Sequence, residues 1–298
     1  MRLIGRDQLS DDAPYLGLVS RNGGPAQPLQ PALERDMVHG RASGHHDFLV
    51  CAGSHALLGR QHFFVELLAG PHLSEDDVDV LAFPQPGQAH ELAREHAAVF
   101  LCLGVHPNEA ARVPDSWLDT LRAEARHPRV VALGETGFDF YRDRAPRADQ
   151  ERWFRAQLAL AGELGLPVVI HQRRALAETL AVLEEVRPAA GGVLHCFDDG
   201  PGAVERAAAL GFRLGIGGCL TYGHGPLEEA VRTAPAELLV LETDAPWLEP
   251  EPRSLRRNEP GLLPRVLGRL CELRGWTPQE ADRLTTANAR TLFRLPAP

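Results

Sequence analysis

The sequence alternates short apolar runs with amphipathic segments, and this alternation limits the folds that the chain can adopt. Eight runs rich in valine, leucine and isoleucine occur at 48–52, 78–83, 99–105, 130–134, 167–170, 192–194, 212–217 and 238–241. The segments between them have helical periodicity, as in 149–164. Buried strands that alternate with helices pair in parallel through right-handed crossovers. Eight such units in about 250 residues predict an α/β fold, a (β/α)8 TIM barrel.

An open, doubly wound parallel sheet is the chief alternative fold. It calls for a glycine-rich phosphate loop after its first strand, and the sequence has neither a G-x-G-x-x-G motif nor a P-loop lysine. Residues 1–44 have no lasting period and predict an irregular N-terminal extension, which leaves 45–298 as the barrel domain. A last helix is predicted to begin at the capping box 277–280.

Composition excludes several classes of protein. With 298 residues, of which 44% are hydrophobic, the chain is globular rather than disordered. It has neither a membrane-spanning apolar stretch nor a signal peptide, so we expect a cytoplasmic protein with no membrane partner. The five cysteines lack any C-x-x-C pair, which argues against disulfides and zinc knuckles. A net charge of −9 argues against coating nucleic acid by bulk positive charge. No feature indicates an oligomer, so we expect a monomer.

Polar residues follow the apolar runs at the points where the predicted strands end. Glu135, His171, His195 and Asp244 each leave a different run. The carboxyl ends of barrel strands face one another across the barrel mouth, so these four side chains can converge. Two imidazoles and two carboxylates are suitable ligands for a divalent metal such as zinc, manganese or magnesium. Glu242, inside the last run, is either a partner of a ligand or a satisfied core acid.

Six stretches in order resemble the motifs of a known family: 104–108, 132–142, 166–171, 192–197, 241–248 and 256–260. They are similar to the successive motifs of the TatD family of metal-dependent deoxyribonucleases, and the match runs from about Val78 to Leu295. The resemblance implies a TIM-barrel hydrolase of the amidohydrolase superfamily that cleaves phosphodiester bonds. It also implies an exonuclease whose substrate is single-stranded or damaged DNA. The positions of Glu135, His171, His195 and Asp244 match the metal ligands of the family.

The chain departs from the family at the first strand. Most members carry a His-x-His pair there, whereas this sequence has Gly53, Ser54 and His55. The loss of one imidazole leaves His55 as a candidate ligand of the outer metal. We therefore expect one firmly bound divalent ion (Mg, Mn or Zn) and a second, weaker one.

The requirements of phosphodiester hydrolysis, an activated water and neutralised phosphate charge, suggest roles for these residues. Glu135 and Asp244 are predicted to be catalytic, since Asp244 can orient or deprotonate a water and Glu135 can bridge two ions. His106, Arg257 and Asn258 are predicted to bind the substrate through its phosphate oxygens. Further candidates, each equally compatible with an ordinary surface or core role, are Arg142, Arg173 and Arg256 for phosphate and Tyr141, Phe197 and Trp247 for bases.

Two other functions stay open at this point. A small-molecule amidohydrolase or lactonase shares the metal site but usually bridges its metals with a carboxylated lysine. This chain contains no lysine, so Glu135 would have to replace that bridge. A catalytically weak scaffold that binds nucleic acid or a protein is the other possibility, and metal content would separate it from both enzymes.

Overall fold

The computed structural model describes residues 48–53, 55–57, 60–62, 90, 93–94, 99–245, 247–253 and 258–295. Their main feature is one parallel sheet of seven strands. These strands are β1 (Phe48–Gly53), β4 (Val99–Gly104), β5 (Val130–Asp139), β6 (Val168–Arg173), β7 (Gly192–Leu194), β8 (Phe212–Ile216) and β9 (Leu239–Leu241). A separate antiparallel pair is formed by β2 (His55–Leu57) and β3 (Arg60–His62).

The strands lie in the sheet in the order of the chain, from β1 and β4 through to β9. Helices separate the strands from β4 onward, so each of these connections is a crossover of the kind predicted. The predicted α/β architecture of TIM-barrel type is confirmed. The strand order differs from the prediction at one place. A strand at 78–83 was expected between β1 and β4, whereas β1 pairs directly with β4. The run 78–83 lies outside the described residues.

Seven α-helices occur in the described part of the chain. They are α1 (Trp117–Glu124), α2 (Arg147–Leu164), α3 (Leu176–Val186), α4 (Pro201–Ala209), α5 (Gly225–Thr233), α6 (Leu263–Arg274) and α7 (Pro278–Phe293). The N-cap of the predicted capping box is confirmed, because the Thr277 hydroxyl accepts the N–H of Glu280 at 3.2 Å. None of the described helices combines the length and the apolar character that a bilayer crossing needs.

Alternation along the strands divides their side chains between two faces. One face packs against the helices in a large apolar cluster. The other face forms a smaller inner cluster, which α7 completes with Ala289, Leu292 and Phe293. The strand members of this inner cluster are Phe100, Cys102, Ala132, Val169, Val193 and Val240. The residues two positions after the last three are His171, His195 and Glu242, so the strand period predicts them on the inner face.

The predicted extension 1–44 lies outside the described residues. The domain boundary between 44 and 45 therefore stays a prediction.

Candidate metal centre

The four predicted ligands lie at the carboxyl end of the parallel sheet. Glu135 lies within β5, His171 lies within β6, and His195 follows β7 directly. Asp244 lies three residues after the end of β9. The parallel pairing of β5 through β9 brings these positions to the same edge.

The side chains meet around one carboxylate oxygen, Oε2 of Glu135. His171 Nδ1 lies 3.3 Å from it and His195 Nε2 lies 4.0 Å from it. Asp244 Oδ1 lies 3.7 Å from the same nitrogen of His195. The structure thus brings the four residues together as a chain of neighbours. Their function as metal ligands stays a prediction.

His106 joins the same group from the end of β4. Its Nε2 lies 3.3 Å from His171 Nδ1 and 3.8 Å from Glu135 Oε2. Its Nδ1 accepts the backbone N–H of Asn108 at 3.1 Å, which leaves Nε2 to face the other two residues. His106 is buried, and its Nε2 lies close to the polar atoms of Glu135 and His171. Because Nδ1 accepts a hydrogen bond, the neutral ring carries its proton on Nε2 and can donate it to His171 or Glu135. The substrate-binding role predicted for His106 stays a prediction.

Asp139 supports His171 from behind. Its Oδ2 lies 3.2 Å from His171 Nε2 and accepts the Asn108 amide at 3.1 Å. Its Oδ1 accepts the backbone N–H groups of Tyr141 at 3.0 Å and Arg142 at 2.8 Å. Burial by itself raises the pKa of Asp139. The hydrogen bonds from His171, Arg142 and Asn108 outweigh burial and hold that pKa well below its usual range.

Glu242 occupies the equivalent position behind His195. Its Oε1 lies 3.1 Å from His195 Nδ1 and accepts the backbone N–H of Cys196. The side chain is fully buried. Space for it exists because Gly215 on β8 has no Cβ; a Cβ there would overlap the Glu242 carboxylate. Of the two interpretations left open for Glu242, the contact with His195 favours a partner of a ligand.

Burial and neighbouring charges shift the proton affinities of the centre. Burial lowers the pKa of His171, but hydrogen bonds and charge from Asp139 and Glu135 more than offset this, so the net shift is upward. Burial raises the pKa of Asp244 and of the Cys196 thiol. Cys196, His195 and Glu242 form a second set of potential donor atoms.

The donor set fits a divalent cation. Glu135, Asp139, Glu242 and Asp244 place four carboxylates in a small and mostly buried region. Such a group is costly unless cations offset it. His171 and His195 each turn one ring nitrogen toward Glu135 and have a carboxylate behind the other. This is the usual arrangement of metal-binding histidines, in which the rear carboxylate fixes the ring and its tautomer.

The remaining predicted residues are placed differently. Asn258 is buried, and its amide donates to the Leu248 carbonyl at 3.4 Å. Phe197 is 1% exposed, which favours the core role for it. Arg257 lies outside the described residues, as does the side chain of His55. The substrate-binding roles of Asn258 and Arg257 stay predictions.

Sequence reasoning missed Asp139, although it lies in one of the quoted motifs. It stands four positions after Glu135 on the same strand, and a period of two places both on one face of the sheet. That spacing was the available signal.

Comparison with known proteins identifies similar chains. The family model described as TatD related DNase matches residues 77–294. A metal-dependent hydrolase of Bacillus subtilis, YabD, is 34% identical over 220 residues, which cover 72% of this chain and 86% of that protein. The protein named 3'-5' ssDNA/RNA exonuclease TatD of Citrobacter koseri is 39% identical over 235 residues, which cover 76% of this chain and 86% of the relative.

A solved structure agrees with these matches. The crystal structure of YJJV, a TatD homologue from Escherichia coli K12, superposes with a TM-score of 0.67 at 31% identity. The superposition covers 70% of this chain and 82% of that one.

Proposed function

The chain belongs to the family of TatD related DNases, which makes it a metal-dependent nuclease, and we propose that it removes nucleotides from the 3' end of single-stranded DNA or RNA. The relatives named 3'-5' ssDNA/RNA exonuclease support this substrate and polarity. The arrangement of His106, His171 and His195 around one oxygen of Glu135 is the observation that carries the proposal. Neither the small-molecule amidohydrolase nor the inactive scaffold is favoured by these relatives.

Glu135, His171, His195 and Asp244 would hold the inner ion, with His106 beside them. A bound divalent ion lowers the pKa of a water and offsets charge on the phosphate. Asp139 accepts the Nε2 proton of His171, and this leaves the Nδ1 lone pair facing Glu135. Glu242 Oε1 lies 3.1 Å from Nδ1 of His195, an ion-pair distance, while Nε2 of that ring faces Glu135.

Asp244 is proposed as the group that takes the proton from the attacking water. Its position beside His195 places it at the edge of the donor set, and its side chain is about a quarter exposed. Burial raises its pKa, which makes its carboxylate a stronger base than an exposed aspartate. Arg257 and Asn258 are proposed to act on the substrate phosphate, as predicted from their motif.

The ligand types suggest which ion is used. Imidazole nitrogens suit zinc, whereas carboxylates suit manganese and magnesium. The mixed set favours manganese or zinc for the inner ion, with magnesium as a weaker substitute. A second ion would depend on His55 and shared carboxylates and so bind more weakly. A cytoplasmic and monomeric enzyme stays part of the proposal.

Metal content and product release test the proposal together. The purified protein is expected to contain about one tightly bound divalent ion per chain and to shorten a single strand labelled at its 5' end by releasing mononucleotides from its 3' end. Chelator should abolish release, and added manganese should restore it. His195→Ala should reduce the rate to background, because it removes a ligand of the inner ion. A metal-free wild type, or activity that His195→Ala leaves unchanged, would contradict the proposal.

A further inference from the structure

We propose that Arg173, Arg174 and Tyr141 form a binding site for the backbone phosphates of the nucleic acid strand, next to the metal centre. This inference rests on the proposed nuclease function and adds a specific site for the substrate. Cζ of Arg173 lies 4.2 Å from the centre of the Tyr141 ring, and Cζ of Arg174 lies 4.7 Å from it. Both distances are within the range of cation–π contacts. We call these three residues the Arg–Tyr cluster.

The sheet places the Arg–Tyr cluster at the same edge as the metal centre. Arg173 is the last residue of β6, two positions after His171. Its partner across the sheet is Asp139, the last residue of β5, and Tyr141 follows two positions later. The N–H of Phe140 donates to the Arg173 carbonyl at 3.0 Å and joins the two strand ends. A nucleic acid strand that has a phosphate at the metal centre would therefore have its neighbouring phosphates close to this cluster.

One buried carboxylate fixes both the cluster and the centre. Asp139 accepts the N–H groups of Tyr141 and Arg142 with one oxygen and faces His171 Nε2 with the other. The backbone of Tyr141, whose ring contacts the arginines, is thus held by the carboxylate that lies against an imidazole of the centre. A positively charged side chain that is ordered before binding loses less conformational entropy when it contacts a ligand.

The chemistry of the cluster suits phosphate. A guanidinium group presents parallel N–H donors that match two phosphate oxygens. Arg174 is exposed and Arg173 is half-buried, so both can reach a ligand in solvent. The chain carries a net charge of −9, and a polyanion needs local positive charge to approach such a protein. We assign the Tyr141 ring to orienting the arginines rather than to stacking on a base.

Binding measured without turnover tests this inference. The probe is a fluorescein-labelled oligothymidylate, titrated with the full chain in chelator and followed by anisotropy at several salt concentrations. Arg174→Gln should weaken binding about two- to fivefold, which is the range of an exposed charge contact. The slope of log K against log salt should become shallower by about 0.7, the value for one phosphate of a single strand.

Arg187→Gln is the matched control. Arg187 is also an exposed arginine with a positive φ, 48° against 55° for Arg174, but it lies between α3 and β7 at the opposite end of the sheet. It should leave binding and the salt slope unchanged. If Arg174→Gln leaves the slope unchanged, or if the control changes it equally, the inference is wrong.

Two variants of Tyr141 test the role of the ring. Tyr141→Phe keeps the aromatic face and should bind as the wild type does, whereas Tyr141→Leu should weaken binding as Arg174→Gln does. Equal losses in both would show that the hydroxyl, not the ring, is required, and would overturn the assignment. These measurements need no catalysis, so an inactive wild type would contradict the proposed function without affecting this test.

Discussion

At the scale of single residues, Asp139 determines which ring nitrogen of His171 is available to bind a metal. We predict that Asp139→Asn weakens metal binding about 10- to 100-fold, the usual effect of removing a carboxylate behind a metal-binding histidine. The asparagine amide accepts the Nε2–H hydrogen bond of His171 more weakly than the Asp139 carboxylate does. The tautomer of His171 with an unprotonated Nδ1 is therefore less populated. Isothermal titration of the metal-free protein with manganese measures this change directly.

Asp149→Asn is the control for that variant. Asp149 carries the same functional group but pairs with Arg152 on the surface of α2. It should bind metal as the wild type does. An affinity for Asp139→Asn equal to that of the control would show that Asp139 has only a structural role.

The pH dependence of metal binding follows from His171. Its pKa in the metal-free protein is raised above the ordinary value of 6.5, and a metal needs the neutral ring. Metal affinity should therefore fall as the pH decreases through this raised pKa. The free energy of unfolding of the metal-free protein changes with pH in the opposite direction. Protonated His171 stabilises this fold at low pH, and its contribution is lost as the pH rises through the raised pKa. Manganese affinities measured across this range should increase with pH, and a flat profile would contradict the prediction.

Residue types at strand ends were sufficient to predict Glu135, His171, His195 and Asp244 as a cluster, because parallel strands bring their carboxyl ends together. The carboxylates behind the imidazoles were harder to predict. Asp139 lies beyond the apolar run 130–134 that marked its strand, and Glu242 could equally have been a satisfied core acid. Their roles depend on which nitrogen of each ring faces inward, and only coordinates give that.

At the scale of elements, the contact between β8 and the chain after β9 controls the position of Glu242. We predict that Gly215→Ala displaces this carboxylate, because the added Cβ would overlap it. Overpacking of this kind destabilises a protein by about 1–3 kcal/mol. Metal affinity should also fall, since His195 loses its partner. Urea unfolding and metal titration measure the two effects.

Gly202→Ala is the matched control, because a Cβ at that helical position meets no atom within 4 Å. It should leave metal affinity unchanged and stabilise α4 slightly. If Gly215→Ala binds metal as tightly as this control, the buried carboxylate does not position His195.

Strand positions were predictable from apolar runs, but their ends were not. β5 was predicted over 130–134 and extends to Asp139, and β6 was predicted over 167–170 and extends to Arg173. The additional residues of β5 include Glu135 and Asp139 of the metal centre, and those of β6 include His171 of the centre and Arg173 of the Arg–Tyr cluster. Functional residues interrupt the apolar pattern of the strand that carries them. A strand predicted from hydrophobicity alone therefore ends several residues before the observed strand does.

At the scale of the whole molecule, metal binding should stabilise the fold. The four carboxylates of the centre repel one another without a cation. A ligand that binds only the folded state at about 100 times its Kd adds about 2.7 kcal/mol. We predict that chelator lowers the melting temperature measured by calorimetry and that manganese restores it. His195→Ala should show a smaller difference between the two conditions. An equal difference in both proteins would place the stabilising ion elsewhere.

The overall architecture was predictable because alternating strands and helices permit few arrangements. The direct pairing of β1 with β4 was not, since apolar runs carry no information about which strands become neighbours. The extension 1–44 and its boundary stay predictions.

The inner face of the sheet is completed by Leu292 and Phe293, which belong to α7. A ribosome must therefore synthesise all seven described strands of the sheet before the residues of α7 that cover this face exist. Until then, side chains such as Phe100 and Val169 have the other strand members of the inner cluster beside them but lack the apolar residues of α7, and this uncovered surface can bind a chaperone or aggregate. We therefore expect the inner face to be covered only after α7 is synthesised, so a premature stop codon before α7 would yield a chain with all the described strands but an uncovered inner face.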